Sequence, residues 1–167
     1  MSAKRKSSQI LVIGLGRFGR SVAETLIELG REVLAIDSDP EIVQRYSDTF
    51  PHVVEADSTD VRALRQLGAQ DFDRVVVGIG TDIEASILTT SALVDLGVKE
   101  IWAKAVTAAH GRILDRVGAH NFFYPDSDSG ERIAHRVTGR MIDYIELDEN
   151  FALAESRAPS TLVGKTL

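Results

Sequence analysis

The chain has 167 residues, 44% hydrophobic and 26% charged, a composition that suits one folded domain with a real core and excludes disorder throughout. No apolar run approaches the roughly 20 residues that span a bilayer, and the absence of cysteine excludes disulfides, thiolate metal sites and cysteine nucleophiles. The net charge of −6 argues against a nucleic-acid partner, which needs a basic surface.

Short apolar runs alternate with amphipathic stretches through residues 8–142, after a predicted disordered tail at residues 1–7 that has no secretory signal. Helices joined by short loops between such strands indicate right-handed βαβ units in a parallel sheet, here a six-stranded, doubly wound Rossmann sheet. The predicted strands are Gln9–Ile13, Glu32–Ile36, His52–Ala56, Arg74–Ile79, Glu100–Lys104 and Asn121–Tyr124. The predicted helices are Arg17–Leu29, Pro40–Asp48, a helix capped by Thr59 or Asp60 that runs to Leu67, Asp82–Leu96, Ala108–Val117 and Asp126–Met141.

The composition changes after Met141. Asp143–Leu147 alternates polar and apolar residues, which predicts a strand with one solvated face, and Phe151–Glu155 is a second candidate strand. Ser160–Leu167 resembles the start of another element. Too few residues remain for a second domain, so we expect residues 143–167 to be a truncated second domain or a very small appendage.

A G-x-G-x-x-G motif, residues 14–19, follows the first predicted strand and opens the first helix. In a dinucleotide-binding turn, Gly14 permits the tight turn, Gly16 lets a phosphate approach the backbone, and Gly19 allows close packing of helix on strand. Asp37 lies 18 residues beyond Gly19 in the sequence, where an acid accepts ribose hydroxyls. The alternative is a tight turn that binds no ligand.

Three charged residues in or after this motif bear on the ligand. A carboxylate at Asp37 disfavours a 2′-phosphate, so NAD or an adenine nucleotide is favoured over NADP. Asp39 is also explained as the cap of the helix that begins at Pro40. Arg17 stands at a helix start, where positive charge is unfavourable, and is best explained as a partner for a polyphosphate or a carboxylate. A solvated arginine is the alternative.

Further polar residues follow the other strands at the same predicted edge. Asp57 or Ser58 is placed to contact an adenine edge, although Ser58 and Asp60 are also helix-capping residues. The glycines of residues 78–81 would let a ring or a ribose lie close. Lys104 ends the fifth strand and either meets a phosphate or extends its amine to solvent.

The sequence pattern shows no set of residues that is typical of a catalytic site. The four histidines (His52, His110, His120, His135) are scattered without metal-ligand spacing, and no Ser/His/Asp set falls at strand ends. The site therefore favours binding over chemistry. The alternative is an NAD-dependent oxidoreductase fragment that lacks its substrate domain.

Over residues 8–142 the sequence resembles the RCK (regulator of potassium conductance) or TrkA-N (KTN) domain family, most of all the KtrA-type cytosolic subunits of bacterial potassium uptake systems. The resemblance implies a crossover helix at about residues 126–141, with residues 143–167 as hinge strands and the truncated start of the C-terminal subdomain. The phrases that carry it are Ile13–Gly19, Glu55–Thr59, Leu67–Ala69, Val76–Gly80, Asp82–Ser86, Ile101–Ala105 and Tyr124–Asp126.

The family's function implies a sensor that is not an enzyme. Its members bind ATP, ADP or NAD(H), with ATP or ADP favoured here. They form homodimers that assemble into an octameric ring. The ring docks on a membrane potassium-translocating subunit, so the implied location is cytoplasmic, at the inner face of the cell membrane. No span of the chain's own is expected.

The resemblance also implies site residues. Asp126 departs from the family, which usually has glutamate there. That glutamate acts across the dimer near the terminal phosphate, with a possible Mg²⁺, and the shorter side chain of aspartate leaves metal binding open. The phosphates would meet the turn residues Gly14, Gly16, Arg17, Phe18 and Gly19. The ribose would meet Asp37, Ser38 and Asp39, and the adenine would meet Asp57 and Ser58. The nucleotide would be lined by Ile79, Gly80 and Thr81, and Lys104 would lie near the ribose or a phosphate.

Overall fold

The computed structural model describes residues 9–126, 134, 143–148 and 151–155. The chain divides into two compact units, residues 1–124 and residues 125–167, each described by itself. The strands of the first unit are β1 (Gln9–Ile13), β2 (Glu32–Asp37), β3 (Val53–Glu55), β4 (Arg74–Val77), β5 (Ile101–Lys104) and β6 (Asn121–Phe123). Its helices are α1 (Arg17–Glu28), α2 (Pro40–Tyr46), α3 (Val61–Gln66), α4 (Ile83–Asp95) and α5 (Ala108–Val117).

All six strands are parallel, in the order β3-β2-β1-β4-β5-β6. This order confirms the predicted doubly wound Rossmann sheet. The chain reverses its direction of travel across the sheet between β1 and β4, so Val12 pairs with Ala35 on one side and with Val76 on the other. In such sheets the ligand crevice opens at the carboxyl ends of the strands beside this switch point.

The sheet is covered on both faces, which explains the continuous apolar runs of its central strands. On one face, Val12 and Ala35 pack with Ala23 of α1 and the partly buried Ile42 of α2. On the other face, the sheet packs against α3, α4 and α5, through a buried cluster that includes Leu11, Ile13, Ile36, Val77, Leu64, Leu93 and Leu114.

The observed ends of several elements differ slightly from the prediction. β4 ends at Val77 rather than Ile79; the Gly78 N–H donates the last bond of the parallel pattern with β1, to the Ile13 carbonyl oxygen at 2.7 Å. α2 ends at Tyr46 rather than Asp48. A short 3₁₀ helix at Ala69–Asp71 was not predicted.

The caps explain where the helices begin. Asp39 caps α2 as expected, because its side chain accepts from the Glu41 N–H. Of the two candidates for α3, Asp60 is the cap.

In the second unit, β7 (Asp143–Asp148) pairs antiparallel with β8 (Phe151–Glu155), with an irregularity between Glu146 and Asp148. Both strands agree with the sequence pattern. Most of the predicted helix 126–141, the tail 1–7 and the segment 160–167 lie outside the described residues. Among the described helices, none has the length and apolar character needed to cross a membrane.

Candidate functional site

A glycine-rich turn joins β1 to α1 at the carboxyl edge of the sheet. Gly14 has φ +88°, in the left-handed region that favours glycine, and its N–H donates to the Ile36 carbonyl oxygen at 2.9 Å. A Cβ at Gly19 would collide with the Gly14 carbonyl oxygen. A Cβ at Gly78 would lie 3.2 Å from that oxygen and from the Gly19 Cα. Backbone therefore packs on backbone here. The fold by itself requires Gly14, because of its left-handed φ, and Gly19, because of this packing.

Gly16 is the motif glycine that the packing does not require. It is the N-cap of α1, and nothing lies within 4 Å of the position that its Cβ would take. Within the described chain no side chain caps α1, and its first turn has no acidic residue. The first helical bond runs from the Arg20 N–H to the Gly16 carbonyl oxygen, so the N–H groups of residues 17–19 precede it. These N–H groups and the helix dipole can bind an anion such as phosphate.

Asp37, the last residue of β2, holds two loops together. Its Oδ2 accepts from the Leu15 N–H of the glycine turn at 2.7 Å, and its Oδ1 accepts from the Asp39 N–H at 2.9 Å. The carboxylate is half-buried, and each oxygen has a second lone pair for a further donor. Asp37 thus aligns the two loops before any ligand binds, and it can still accept hydroxyl groups.

The loop after β3 contains one exposed acid and one buried hydroxyl. Asp57 Oδ1 accepts from both the N–H and the hydroxyl of Thr59, at 2.9 Å and 2.7 Å. Ser58 is buried, with its Oγ 2.7 Å from Thr89 Oγ1 on α4. The Ser58 hydroxyl therefore already has a partner within the fold, whereas the exposed side of Asp57 faces solvent. The adjacent cap Asp60 has its pKa lowered, chiefly by the hydrogen bond from the Arg62 backbone N–H.

Beyond the switch point, the crevice is bounded by aromatic rings and one cation. The rings of Phe18 on α1 and Phe123 at the end of β6 have centroids 5.0 Å apart. Lys104 Nζ lies 5.7 Å from the Phe18 centroid. A Cβ at Gly80 would lie 2.8 Å from the same Nζ, so Gly80 makes room for the lysine. Within the described residues, neither Lys104 nor Arg17 forms a salt bridge.

The fold brings the predicted residues of the first unit to one edge. They lie in the loops that follow β1 to β4, in the first turn of α1 and at the end of β5. Asp126 belongs to the second unit. The sequence pattern did not single out Phe123 or Thr89. Phe123 could have been noticed because it is an aromatic residue at the end of a strand whose neighbouring strands end in polar residues. Thr89 gives a weaker signal, as a threonine inside an apolar helix.

The described histidines lie apart from one another. His110 on α5 is 2% exposed, and burial lowers its pKa. Its Nδ1 accepts from the Val106 N–H at 3.3 Å, whereas His120 Nδ1 accepts from the Ile101 N–H at 3.0 Å. Among the described residues no group of three or more His, Asp or Glu is arranged to hold a metal ion. A cavity of about 480 Å³ lies at the other, amino edge of the sheet, near Glu32 and His52, and none of the predicted site residues lines it.

Comparison with known proteins gives one family and several relatives. The TrkA-N domain family model matches residues 10–125. The chain is 45% identical over 160 residues to Ktr system potassium uptake protein C of Bacillus subtilis, covering 95% of this chain and 72% of that protein. It is 37% identical over 163 residues to Ktr system potassium uptake protein A of the same organism, covering 97% and 73%.

The fold has matching solved structures. The crystal structure of GsuK bound to ADP has a TM-score of 0.66 and 25% identity with this chain. The match covers 80% of this chain and 34% of GsuK. ADP is thus a ligand of a protein that contains a domain with this fold.

Proposed function

The chain belongs to the TrkA-N domain family, and we propose that it is a regulatory subunit that binds a nucleotide and controls a potassium uptake system. The observation that carries the nucleotide site is the uncapped start of α1 at Gly16, where a Cβ would meet open space. The other motif glycines are required by the fold itself, but this one is explained by the approach of a ligand. The Ktr relatives, which are potassium uptake proteins, support the transport role.

In this proposal the nucleotide lies along the carboxyl edge of the sheet. Its phosphates meet the N–H groups of residues 17–19 and the Arg17 guanidinium, and its ribose hydroxyls meet Asp37 and the adjoining Ser38 and Asp39. Asp57 and the backbone at Ser58 contact the adenine. Residues 79–81 line the nucleotide, and Lys104 is the cation available to its outer phosphates. The proposal divides the chain into the nucleotide-binding domain at residues 8–142 and the start of a further subdomain at residues 143–167.

ATP or ADP is the proposed ligand, and NAD(H), which contains the same adenosine and pyrophosphate as ADP, is the alternative. GsuK, which is found bound to ADP and also bound to NAD, supports an adenine nucleotide of either kind. The Asp126 carboxylate of a neighbouring copy of the chain is proposed to act near the terminal phosphate. Mg²⁺ commonly binds one or two carboxylates together with substrate phosphates, so a single aspartate fits a metal carried by ATP. We propose no catalysis, since the Ktr relatives are named as uptake proteins.

The proposed partners are further copies of the chain and a membrane subunit. Homodimers would assemble into an octameric ring on the cytoplasmic face of a potassium-translocating protein. A nucleotide can change such a ring only by binding its two shapes with different affinities. Native mass spectrometry with and without nucleotide tests the assembly. Co-purification with the co-expressed membrane subunit tests the docking.

Calorimetric titration of the whole chain with ADP, ATP and NAD tests the nucleotide site. Arg17→Ala should weaken ADP binding by about tenfold, the loss expected for one charge-assisted hydrogen bond. Arg45→Ala removes an exposed arginine from the last turn of α2 and should leave the affinity unchanged. Absence of ADP and ATP binding, or an equal effect of the two substitutions, would refute the site. Turnover of NAD with small alcohols or hydroxy acids would show an oxidoreductase instead.

A further inference from the structure

The cavity at the amino edge of the sheet is an open groove beside β2 and β3, and we call it the amino-edge groove. Its volume of about 480 Å³ lies in the range of sites that hold a ligand or a short peptide segment. Much of its lining is apolar and includes Val33, Phe50 and Phe72. It shares no residue with the candidate nucleotide site at the opposite edge, so an occupant here has a separate role.

The groove is open because the helix on that face of the sheet is short. α3 has six residues and is about 9 Å long at 1.5 Å per residue, whereas the six extended residues of β2 span about 20 Å. Leu64 of α3 packs in the same cluster as Ile36, near the carboxyl end of β2. The residues of β2 that line the groove, 32–34, form its amino half. Val54 of the edge strand β3 also lines the groove and is 37% exposed.

The rim of the groove is acidic. Glu32 lines it, and its Oε2 accepts from the Gln9 side-chain amide at 3.0 Å. Asp71 and Asp73 are exposed on either side of Phe72, which also lines the groove. The Asp73 N–H donates to the Gln9 carbonyl oxygen at 3.2 Å. Among the described residues, the lining contains no lysine or arginine, and neither Asp71 nor Asp73 forms a salt bridge. This charge favours a cationic occupant.

A basic segment of the same chain leads directly to this rim. Residues 1–8, which lie outside the described residues, contain the three consecutive cations Lys4, Arg5 and Lys6 and no acid. They continue into Gln9, which lines the groove. β3 is two strands away from β1, or about 10 Å. Eight extended residues reach up to about 26 Å, so the segment is long enough to cross the groove.

We propose that the amino-edge groove binds the chain's own N-terminal segment, residues 1–8, with Lys4, Arg5 and Lys6 against the acids of the rim. In this position the segment covers the apolar lining that α3 leaves open. It also shields β3, the edge strand, whose outward N–H and C=O groups are a template for pairing with another chain. The inference goes beyond the proposed nucleotide-binding function and does not depend on it.

Distances between pairs of spin labels, measured by double electron–electron resonance on the whole chain, test the proposal. The chain has no cysteine, so labels attach only where a cysteine is introduced. Ser2→Cys is combined with Thr49→Cys, in the loop before β3, or with Lys99→Cys, in the loop before β5; Thr49 and Lys99 are both exposed. β3 and β5 are each two strands from β1, so an unbound segment samples similar distances to both labels.

A bound segment should give a short, narrow distance distribution to the label at Thr49 and a longer, broader one to the label at Lys99. Lys4→Glu, Arg5→Glu and Lys6→Glu together should broaden the distribution to Thr49. About 1 M salt, at which the Debye length is about 3 Å, should do the same. Reversing two exposed arginines of α5 instead, with Arg112→Glu and Arg116→Glu, is the control and should leave the narrow distribution intact.

Equally broad distributions to both labels would overturn the proposal, and so would a narrow distribution that survives reversal of the three cations. Dilution with unlabelled chain identifies a contact between copies. Loss of the short distance on dilution would show that the groove binds the segment of a second copy, and the proposal for the chain's own segment would fail. ADP titration of the same chains reports on the nucleotide site separately, so failure of one proposal is distinguishable from failure of the other.

Discussion

Gly19→Ala should destabilise the first unit strongly, without any ligand present. The added Cβ would collide with the Gly14 carbonyl oxygen and lie 2.9 Å from the Gly14 carbonyl carbon. These are backbone atoms, and the turn that carries them is held by the bond from the Gly14 N–H to Ile36 and by the bond from the Gly78 N–H to Ile13. The clash therefore cannot be relieved by rotating a side chain.

The expected magnitude follows from this geometry. Overpacking against an unyielding neighbour costs about 3 kcal/mol, which for a chain of this size lowers the melting temperature by about 6–12 °C. Gly16→Ala is the matched control, because its Cβ meets open space at φ −62°. Replacing glycine by alanine at an N-cap costs about 0.5–1 kcal/mol. It should nevertheless weaken ADP binding by about tenfold, since a methyl group occupies the approach of the phosphate.

Thermal and urea denaturation followed by the fluorescence of Trp102, the single tryptophan, measure both stabilities, and calorimetry measures ADP binding. The main effect of Gly19→Ala should be on stability, and the main effect of Gly16→Ala should be on ADP binding. A Gly19→Ala variant that melts within 2 °C of the wild type, which is below about 1 kcal/mol, would refute the packing explanation. A Gly16→Ala variant that binds ADP normally would refute the ligand explanation of the motif.

Three further predictions concern polar side chains that the fold buries or hydrogen-bonds. Asp37→Asn should lower the free energy of unfolding by about 2 kcal/mol in urea titrations, because an amide cannot accept from both Leu15 and Asp39; unchanged stability would contradict this role. Ser58→Ala and Thr89→Val should each destabilise, with a coupling of about 1 kcal/mol in a double-mutant cycle, and strict additivity would argue against their bond. Burial lowers the pKa of His110, so the unfolded chain binds the proton first. The free energy of unfolding should therefore fall as the pH drops below about 6.5, and His110→Gln should remove that part of the slope; a variant with the wild-type slope would refute it.

The fold was predictable from the sequence because each element carries its own signal. The run Gln9–Ile13 is apolar on both faces, and it became the central strand. Asp39 before Pro40, and Asp82 before an apolar run, marked helix starts that the structure confirms. The end of β4 was less predictable, because Gly78 packs against the glycine turn, whose residues lie some sixty positions earlier in the chain.

The sequence predicts site residues only where they belong to a motif with a fixed spacing. The glycine turn and Asp37 have a fixed spacing, so the sequence predicts both as parts of the candidate site, but it does not predict that Asp37 accepts from the Leu15 N–H. The contact of Phe18 with Phe123 joins residues distant in sequence, and no local pattern encodes it. The same holds for Ser58, whose buried partner Thr89 is 31 residues away. Such pairs become visible only when the topology brings their strands and helices together.

A regulator that distinguishes ATP from ADP must bind them with different free energies in its two states. The two nucleotides share their adenosine, so in the proposed site the carboxylates of Asp37 and Asp57 would contact both alike. The difference would then arise at the outer phosphates, for which the proposal offers Arg17 and Lys104, two cations that form no salt bridge within the described chain. Arg17→Ala should therefore lower the affinity for ATP more than that for ADP, whereas Asp57→Ala should lower both equally. Titration of each variant with both nucleotides measures the ratio. A parallel loss in Arg17→Ala would place the discrimination outside this edge of the sheet.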